Sequence, residues 1–181
     1  KASNKFKIIS IGRLEKEKNF RLLIEAFSKL SNNNVYLDIY GEGKLRIELN
    51  NLINELDLSQ KIKIKKFQRQ HEKNYYKYDL YISSSDFEGF PNTVVEAIKN
   101  DLPVISTNSK GGVVDILKNG KGGIILKKND SSELASKINF AIKNINYLKK
   151  KQLYAKKNLK NFDIKIYKKL YEKLFLKICE K

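Results

Sequence analysis

Short apolar runs rich in β-branched residues alternate along the chain with longer segments whose apolar residues recur at helical spacing. This alternation is typical of a parallel β-sheet whose strands are connected by helices. The pattern predicts strands at residues 6–11, 35–40, 62–67, 80–83, 103–106 and 123–126. It predicts helices between them, at about 20–30, 45–56, 71–78, 92–100 and 113–118. We therefore expect an α/β fold with a single Rossmann-like, doubly wound parallel sheet of about six strands and helices on both faces.

The segment after residue 131 shows no further strand pattern and is predicted to be helical. Three helices are expected there, at 134–145, 148–159 and 164–178. The last helix carries a broad apolar stripe, formed by Ile166, Leu170, Leu174 and Ile178. Such a stripe is expected to pack on the parent sheet, with docking on a neighbouring domain or contact with a membrane as alternatives. Since no repeat or linker divides residues 1–181, we expect one domain, with its core at 6–126 and C-terminal helices at 131–180.

The chain is strongly basic, with 37 Lys and Arg against 20 Asp and Glu and a formal net charge of +17 over 181 residues. This charge makes nucleic acid, anionic membranes and phosphate-bearing ligands conceivable partners. However, 33 of these basic residues are Lys and four are Arg, whereas proteins that read phosphates favour Arg. One cysteine, Cys179, excludes an internal disulfide and a thiolate metal site, so we expect a cytoplasmic protein. A chain without any Met is also expected to be a piece of a longer protein.

Candidate chemistry lies in the loops after the strands, because ligands of open parallel sheets bind outside the carboxyl ends of the strands. The first loop starts at Gly12 and carries Arg13 and Lys18 ahead of a predicted helix. Two cations beside a helix N-terminus form a natural pocket for a diphosphate. The alternative is a solvated charged loop in a lysine-rich protein.

The second loop contains Gly41 and Gly43 and resembles part of a dinucleotide-binding fingerprint. That fingerprint requires a third glycine where this chain has Arg46, and it belongs after the first strand rather than the second. A nicotinamide or flavin site is therefore disfavoured. The glycines either let the backbone approach a ligand closely or simply form the turn.

The third loop, at 83–93, is the richest in candidate groups. Pro91 suits a helix start, and Asn92 or Thr93 is expected to cap it, leaving backbone N–H groups directed at an anion. Glu88 precedes this helix and Glu96 lies within it, so the two carboxylates are expected to hold polyol hydroxyls beside a phosphate. The alternative for Glu88 is an acid that interacts favourably with the helix dipole, and the alternative for Glu96 is an exposed acid on the helix surface. The fourth loop, at 107–112, is expected to form another wall of the same cleft.

Six landmarks of these loops occur together and in one order. They are Gly12-Arg13-Leu14 with Lys18-Asn19, Gly41-Glu42-Gly43, Phe67, Glu88-Gly89-Phe90-Pro91-Asn92 with Glu96-Ala97, Leu102-Pro103-Val104-Ile105, and Gly111-Gly112. In this order they resemble the carboxyl-terminal domain of retaining GT-B glycosyltransferases of family 4, the glycosyl transferases group 1. The resemblance runs from about residue 6 to 126. It implies half of a GT-B fold, a domain that binds the nucleotide-sugar donor, and no cofactor or metal.

The resemblance also implies roles for individual residues. The diphosphate would be bound by Gly12, Arg13, Lys18, Asn92 and Thr93. The transferred sugar would be bound by Glu88, Gly89, Phe90, Pro91 and Asn92. The nucleoside would be bound by Gly41, Lys66, Phe67, Gln68 and Glu96. Catalysis would depend on Arg13, Lys18 and Glu88, through electrostatic stabilisation of an oxocarbenium-like transition state. UDP is the favoured nucleotide, and the products would belong to surface polysaccharides such as lipopolysaccharide or capsule, or to glycolipids.

Two positions depart from the family pattern, because Arg69 stands where a glycine is frequent and Asp115 where a glutamate is usual. The N-terminal acceptor domain of such enzymes is absent, so we expect the chain to bind donor without efficient turnover.

Three alternatives remain at this stage. A GT-B nucleotide-sugar epimerase would need catalytic acids and histidines, and His71 is the one histidine. A nucleic-acid-binding module would interleave Tyr with Arg, whereas the arginines here are scattered, so no nucleic acid is expected. Peripheral association with an anionic membrane is expected to involve the C-terminal lysines, Lys149, Lys150, Lys151, Lys156, Lys157, Lys168 and Lys169.

Overall fold

The computed structural model describes residues 5–67, 75–162 and 164–179. Its strands are β1 (Phe6–Ile11), β2 (Val35–Tyr40), β3 (Ile62–Lys65), β4 (Leu80–Ser83), β5 (Phe87–Glu88), β6 (Val104–Ser106), β7 (Lys110–Gly111) and β8 (Ile124–Ile125). Its α-helices are α1 (Phe20–Ser28), α2 (Arg46–Glu55), α3 (Asn92–Lys99), α4 (Val113–Ile116), α5 (Ser131–Lys143), α6 (Ile145–Asn158) and α7 (Ile164–Cys179). Short 3₁₀ turns occur at Lys16–Lys18 and Leu159–Phe162.

The main sheet is a six-stranded parallel sheet in the order β3-β2-β1-β4-β6-β8. The direction of winding reverses between β1 and β4, which are neighbours in the sheet although two strands separate them in the chain. Such a reversal opens a crevice at the carboxyl ends of the strands, because the loops that leave the two central strands turn to opposite faces. The predicted α/β, doubly wound fold is confirmed.

Two apolar clusters cover the faces of this sheet. On one face, residues of β1 and β2 such as Ile8 and Leu37 pack with α1, α2 and α5. On the other face, Ile9 and Ile11 of β1 pack with residues of β4, α3 and α4, among them Tyr81. Because successive side chains of a strand point to opposite faces, the isoleucines of β1 contribute to both clusters.

A second, two-stranded sheet was not predicted. β5 and β7 pair in parallel, with Phe87 opposite Lys110 and Glu88 opposite Gly111. Gly111 has φ +128, and a Cβ there would lie 1.7 Å from the carbonyl oxygen of Glu88, so only glycine allows this pairing. Two residues are too few to show a strand periodicity, which is why the sequence pattern did not reveal it.

Several predicted boundaries and one predicted contact need correction. β3 ends at Lys65 rather than at 67, and α5 begins at Ser131 because the Asp130 side chain accepts a hydrogen bond of 2.7 Å from Glu133 N. Of the helix predicted at 71–78, only 75–78 falls within the described residues. On α7, Leu174 and Ile178 are exposed, so these two side chains do not pack on the sheet as expected.

Candidate functional site

A cleft of about 430 Å³ opens at the carboxyl ends of β1, β2 and β4, where the winding of the sheet reverses. It combines loops from separate crossovers, which is the arrangement that the order of the strands predicts. The residues that line it are Ile11, Gly12, Arg13, Lys18, Gly41, Glu42, Phe67, Glu88, Phe90, Asn92 and Thr93. Candidate residues from the first, second and third loops therefore lie together.

Lys18 and Glu88 form an ion pair in the wall of the cleft, although 70 residues separate them in the chain. Their side chains are only 18% and 14% exposed. Ser85 Oγ donates a second hydrogen bond, of 2.9 Å, to the same carboxylate oxygen of Glu88. One carboxylate oxygen of Glu88, Oε1, thus accepts two hydrogen bonds from protein groups, and the ammonium of Lys18 is held at a fixed place in the wall.

Hydrogen bonds between two loops fix the backbone around Lys18. Ser84 Oγ donates to the carbonyl oxygen of Lys18 at 2.8 Å, and the backbone N–H of Asp86 donates to the carbonyl oxygen of Glu17 at 2.9 Å. The side-chain amide of Asn19 donates to both carboxylate oxygens of Asp86, at 2.9 and 3.1 Å. Asn19 also adopts a left-handed conformation, φ 43, and caps α1. Sequence reasoning missed the roles of Ser84 and Asp86 because their partners lie far away in the chain.

Arg13 occupies a much more open position than Lys18. Its guanidinium pairs at 2.9 Å with Glu17, four residues along the chain, and the two side chains are 75% and 41% exposed. Such an exposed pair contributes below about 1 kcal/mol, because water screens both charges. Arg13 can therefore exchange Glu17 for an anionic ligand at little energetic cost.

The Gly41 loop approaches the Gly12 loop so closely that no side chain fits between them. The backbone N–H of Gly12 donates to the carbonyl oxygen of Tyr40 at 3.0 Å, and a Cβ on Gly41 would lie 2.0 Å from the carbonyl oxygen of Gly12. Arg46, which stands where a dinucleotide fingerprint has glycine, donates to the carbonyl oxygens of Gly41 and Ile64 at 3.3 and 3.1 Å. Arg46 thus supports the loop from behind.

The start of α3 differs from the predicted cap. Pro91 is the N-cap residue and makes no side-chain capping hydrogen bond, so the prediction that Asn92 or Thr93 caps the helix is wrong. Thr93 Oγ1 instead accepts a hydrogen bond of 2.8 Å from the hydroxyl of Tyr81. Burial raises the pKa of Tyr81, so this hydroxyl stays protonated and remains a donor.

Glu96 lies beside the cleft rather than in its lining. It borders an adjoining depression, which Asn92 shares with the cleft, and the hydroxyl of Tyr75 donates to Glu96 Oε2 at 3.5 Å. Phe67 lines the cleft and is 53% exposed, whereas Lys66 is exposed outside the lining. Gln68 lies outside the described residues.

The remaining predicted residues of the third and fourth loops lie around Glu88. Gly89 and Pro91 flank lining residues, and the carbonyl oxygen of Gly89 accepts a hydrogen bond of 3.0 Å from Gly112 N. Among the described residues that line the cleft, none comes from 107–112. The loop supports Glu88 through the β5–β7 pairing, and its role as a wall of the cleft stays a prediction.

Two negative findings apply to the described ranges. In residues 5–67, 75–162 and 164–179, no group of three or more His, Cys, Asp or Glu side chains could hold a metal ion. Within the same ranges, no helix has the length and apolar character needed to cross a membrane.

A Rossmann-like sheet with a glycine-lined cleft at its reversal point, which carries Arg13 and Lys18, is typical of nucleotide-binding α/β domains. Within this class, the chain belongs to the glycosyl transferases group 1, because the model of that family matches residues 1–162. Both the fold and the family are those of one half of a GT-B glycosyltransferase.

Named relatives support this assignment. The chain is 31% identical over 156 residues to N-acetylgalactosamine-N,N'-diacetylbacillosaminyl-diphospho-undecaprenol 4-alpha-N-acetylgalactosaminyltransferase of Campylobacter jejuni, covering 86% of this chain and 42% of the relative. It is similar to a solved glycosyltransferase of Rickettsia africae, with 28% identity, a TM-score of 0.82 and coverage of 99% and 49%. It is also similar to a Staphylococcus aureus TarM variant solved with UDP, Fondaparinux and alpha-GlcNAc-glycerol, with 25% identity, a TM-score of 0.79 and coverage of 88% and 34%. The chain spans less than half the length of these relatives.

Proposed function

We propose that these 181 residues are the donor-binding, C-terminal domain of a retaining family 4 GT-B glycosyltransferase that uses a UDP-sugar. The observation that carries the proposal is the meeting of Arg13, Lys18, Glu88 and the start of α3 in one cleft at the reversal point of the sheet. Further support comes from the family membership and from the similar TarM variant, whose solved structure contains UDP.

In this proposal the diphosphate lies between the first loop and the start of α3. Arg13 and Lys18 neutralise its charge, including the charge that develops on the leaving nucleotide, with Gly12, Asn92 and Thr93 adding hydrogen bonds. The acceptor attacks from the face that the diphosphate leaves. The paired cations therefore stabilise the transition state more than the bound substrate, which is what accelerates the reaction.

The sugar and the nucleoside occupy opposite sides of that diphosphate. Glu88 accepts hydrogen bonds from sugar hydroxyls, with Gly89, Phe90, Pro91 and Asn92 around it. The nucleoside lies toward Gly41, Lys66, Phe67 and Gln68. Glu96 holds the ribose from the adjoining depression, which meets the cleft at Asn92. Because Lys18 and Glu88 are paired with one another without ligand, donor binding replaces one internal ion pair by a phosphate contact for Lys18 and a hydroxyl contact for Glu88.

The parent protein is proposed to be longer than this chain. An N-terminal domain would supply the acceptor site, in agreement with the 42% coverage of the Campylobacter relative, and the isolated chain would turn over poorly. The products would be surface polysaccharides or glycolipids. We place the parent protein in the cytoplasm, next to an anionic membrane, because that relative is named for a diphospho-undecaprenol acceptor.

Thermal unfolding with added nucleotides tests the proposal. UDP should raise the melting temperature more than GDP or ADP. A ligand at a hundred times its Kd stabilises by about 2.7 kcal/mol, which corresponds to a shift of about 5–10 °C for a domain of this size. Lys18→Met should abolish the shift, because Lys18 lines the cleft.

Lys16→Met is the matched control, since Lys16 belongs to the same 3₁₀ turn but does not line the cleft. It should leave the UDP shift intact. The proposal fails if no nucleotide raises the melting temperature, or if Lys18→Met keeps the shift of the unsubstituted chain.

A further inference from the structure

One half of the sheet face that carries α3 is polar and open. In β2 and β3 apolar and polar residues alternate, as in Ile62-Lys63-Ile64-Lys65, although strands covered on both faces are normally apolar throughout. Lys7 and Lys63 point to this face and are exposed, whereas Ile62 points to the other face and is buried. The alternation therefore marks a face of the sheet that meets solvent or a partner rather than the core.

Lysines are concentrated on this face far beyond their share of the chain. They make up 33 of 181 residues overall, but six of the twelve described residues that line a shallow hollow of about 350 Å³. We call these six the lysine face, and they are Lys5, Lys7, Lys61, Lys63, Lys65 and Lys77. The high lysine content of the chain does not account for this threefold enrichment.

Little of the positive charge on the lysine face is neutralised by the described residues. Asp38 Oδ2 is saturated, since it accepts from Lys65 Nζ and from the Tyr78 hydroxyl, each at 2.6 Å. Burial lowers the pKa of Lys65, but the hydrogen bond and charge of Asp38 outweigh it and raise the pKa. Asp79 accepts from the backbone N–H of Lys7 at 2.8 Å rather than from its ammonium. The face thus keeps a clear excess of positive charge.

The chemistry of the face selects among anionic partners. Among the described residues that line the hollow, the basic ones are all lysines and none is an arginine, although proteins that bind a fixed phosphate favour the bidentate guanidinium. Lys5 lies 5.0 Å above the ring of Tyr36 and Lys65 lies 5.4 Å from that of Tyr40. Ammonium groups therefore lie against these two rings, which makes the rings poor stacking platforms for bases and disfavours a nucleic acid.

Anionic lipid headgroups match the lysine face better than a fixed phosphate ligand or a nucleic acid does. They are mobile and present charge without a fixed geometry, which suits flexible lysines on an open sheet. Tyr76 is 78% exposed next to Lys77 of the lysine face, and exposed tyrosines are enriched where proteins meet the membrane interface. We propose that the lysine face docks on an anionic lipid bilayer, an inference that rests on the proposed membrane location of the parent protein.

This assignment differs from the surface predicted on the C-terminal lysines. Lys151 of α6 donates to the carbonyl oxygen of Gly120, and Lys156 pairs with Asp101 at 2.7 Å. These two ammonium groups hold α6 in place and are less available to lipid. Three other lysines of α6, Lys149, Lys150 and Lys157, can be substituted together as a control that removes the same charge as three lysines of the lysine face.

Co-sedimentation with phosphatidylcholine vesicles, with and without phosphatidylglycerol, tests the proposal on the 181-residue chain. The chain should bind only the anionic vesicles, and added salt should release it. Each lysine near an anionic surface is worth about a fivefold change in partitioning. The triple variant Lys5→Gln, Lys7→Gln and Lys63→Gln should therefore bind about a hundredfold less. The matched triple variant on α6 changes Lys149, Lys150 and Lys157 to Gln and should change binding much less.

Three results would overturn the proposal. They are a lack of vesicle binding by the unsubstituted chain, binding that does not depend on phosphatidylglycerol, and an equal loss of vesicle binding in the two triple variants. Circular dichroism checks that both variants are folded. The UDP-dependent melting shift is measured on the same samples. If the unsubstituted chain binds anionic vesicles but shows no UDP shift, the proposed nucleotide site is refuted and the lipid surface remains supported.

Discussion

Glu88→Gln should tighten the binding of UDP, although Glu88 is assigned to the donor site. In the unliganded cleft Lys18 is paired with Glu88, and both side chains are largely buried. A diphosphate must draw the ammonium away from this carboxylate and lie close to the carboxylate's negative charge. Replacing Glu88 by glutamine removes both penalties and keeps an acceptor for the 2.9 Å hydrogen bond from Ser85.

The magnitude follows from the burial of the pair. Exposed ion pairs contribute about 0.2–1 kcal/mol, and breaking a fully buried pair costs about 3–5 kcal/mol. With side chains 18% and 14% exposed and Ser85 still bonded, we expect about 1.5 kcal/mol, which is about a tenfold lower Kd for UDP. The gain should be smaller for a UDP-sugar, because the glutamine loses the charge-assisted hydrogen bond to a sugar hydroxyl.

Isothermal titration calorimetry with UDP measures this change directly. Glu17→Gln is the matched control, because it removes the carboxylate paired with Arg13 in a pair that is 75% and 41% exposed, and it should change the Kd by less than about fivefold. Unchanged or weaker UDP binding by Glu88→Gln would refute the reasoning that Glu88 competes with the diphosphate for Lys18.

Two further predictions concern stability. Gly41→Ala places a Cβ 2.0 Å from the carbonyl oxygen of Gly12, whereas a Cβ on Gly89 meets nothing within 4 Å. Urea denaturation should show that Gly41→Ala lowers the free energy of unfolding by about 2 kcal/mol or more and that Gly89→Ala changes it little; equal effects would contradict the close approach. The hydrogen bond from Lys156 lowers the pKa of Asp101, so the stability that this pair adds is present above pH 3.8 and is lost as the pH falls through the lowered value. The difference in unfolding free energy between Asp101→Asn and the unsubstituted chain should vanish over that acidic range, and a difference that persists unchanged would rule out the ion pair as its source.

The bounds of the central strands follow from the sequence because each strand is a short run rich in apolar residues that is followed by a glycine or a polar residue. β1, β2 and β4 begin and end at the predicted residues. The order of those strands in turn predicts where ligands bind, so the first, second and third loops were expected to meet at one edge. These features depend on local pattern and on general rules of parallel sheets.

The arrangement inside the cleft depends instead on pairs that are distant in the chain. The Lys18–Glu88 ion pair spans 70 positions, and no local pattern indicates that two predicted ligand groups bind each other. Tyr81 was likewise read only as part of a buried strand, although its hydroxyl reaches Thr93. One signal in the sequence pointed to this role of Tyr81. A tyrosine in a short buried strand has a hydroxyl that needs a hydrogen-bond partner.

The pairing of β5 with β7 makes the position of Glu88 depend on a segment that does not border the cleft. Gly111 lies opposite Glu88 in this two-stranded sheet, so a residue inserted or deleted in 107–112 would shift the register and turn the carboxylate away from Lys18. In the proposed donor site, the residues facing the donor would keep their identities, and we expect the preferred sugar to change. Libraries designed to alter sugar preference should therefore vary the length of this remote segment before they vary the residues of the cleft.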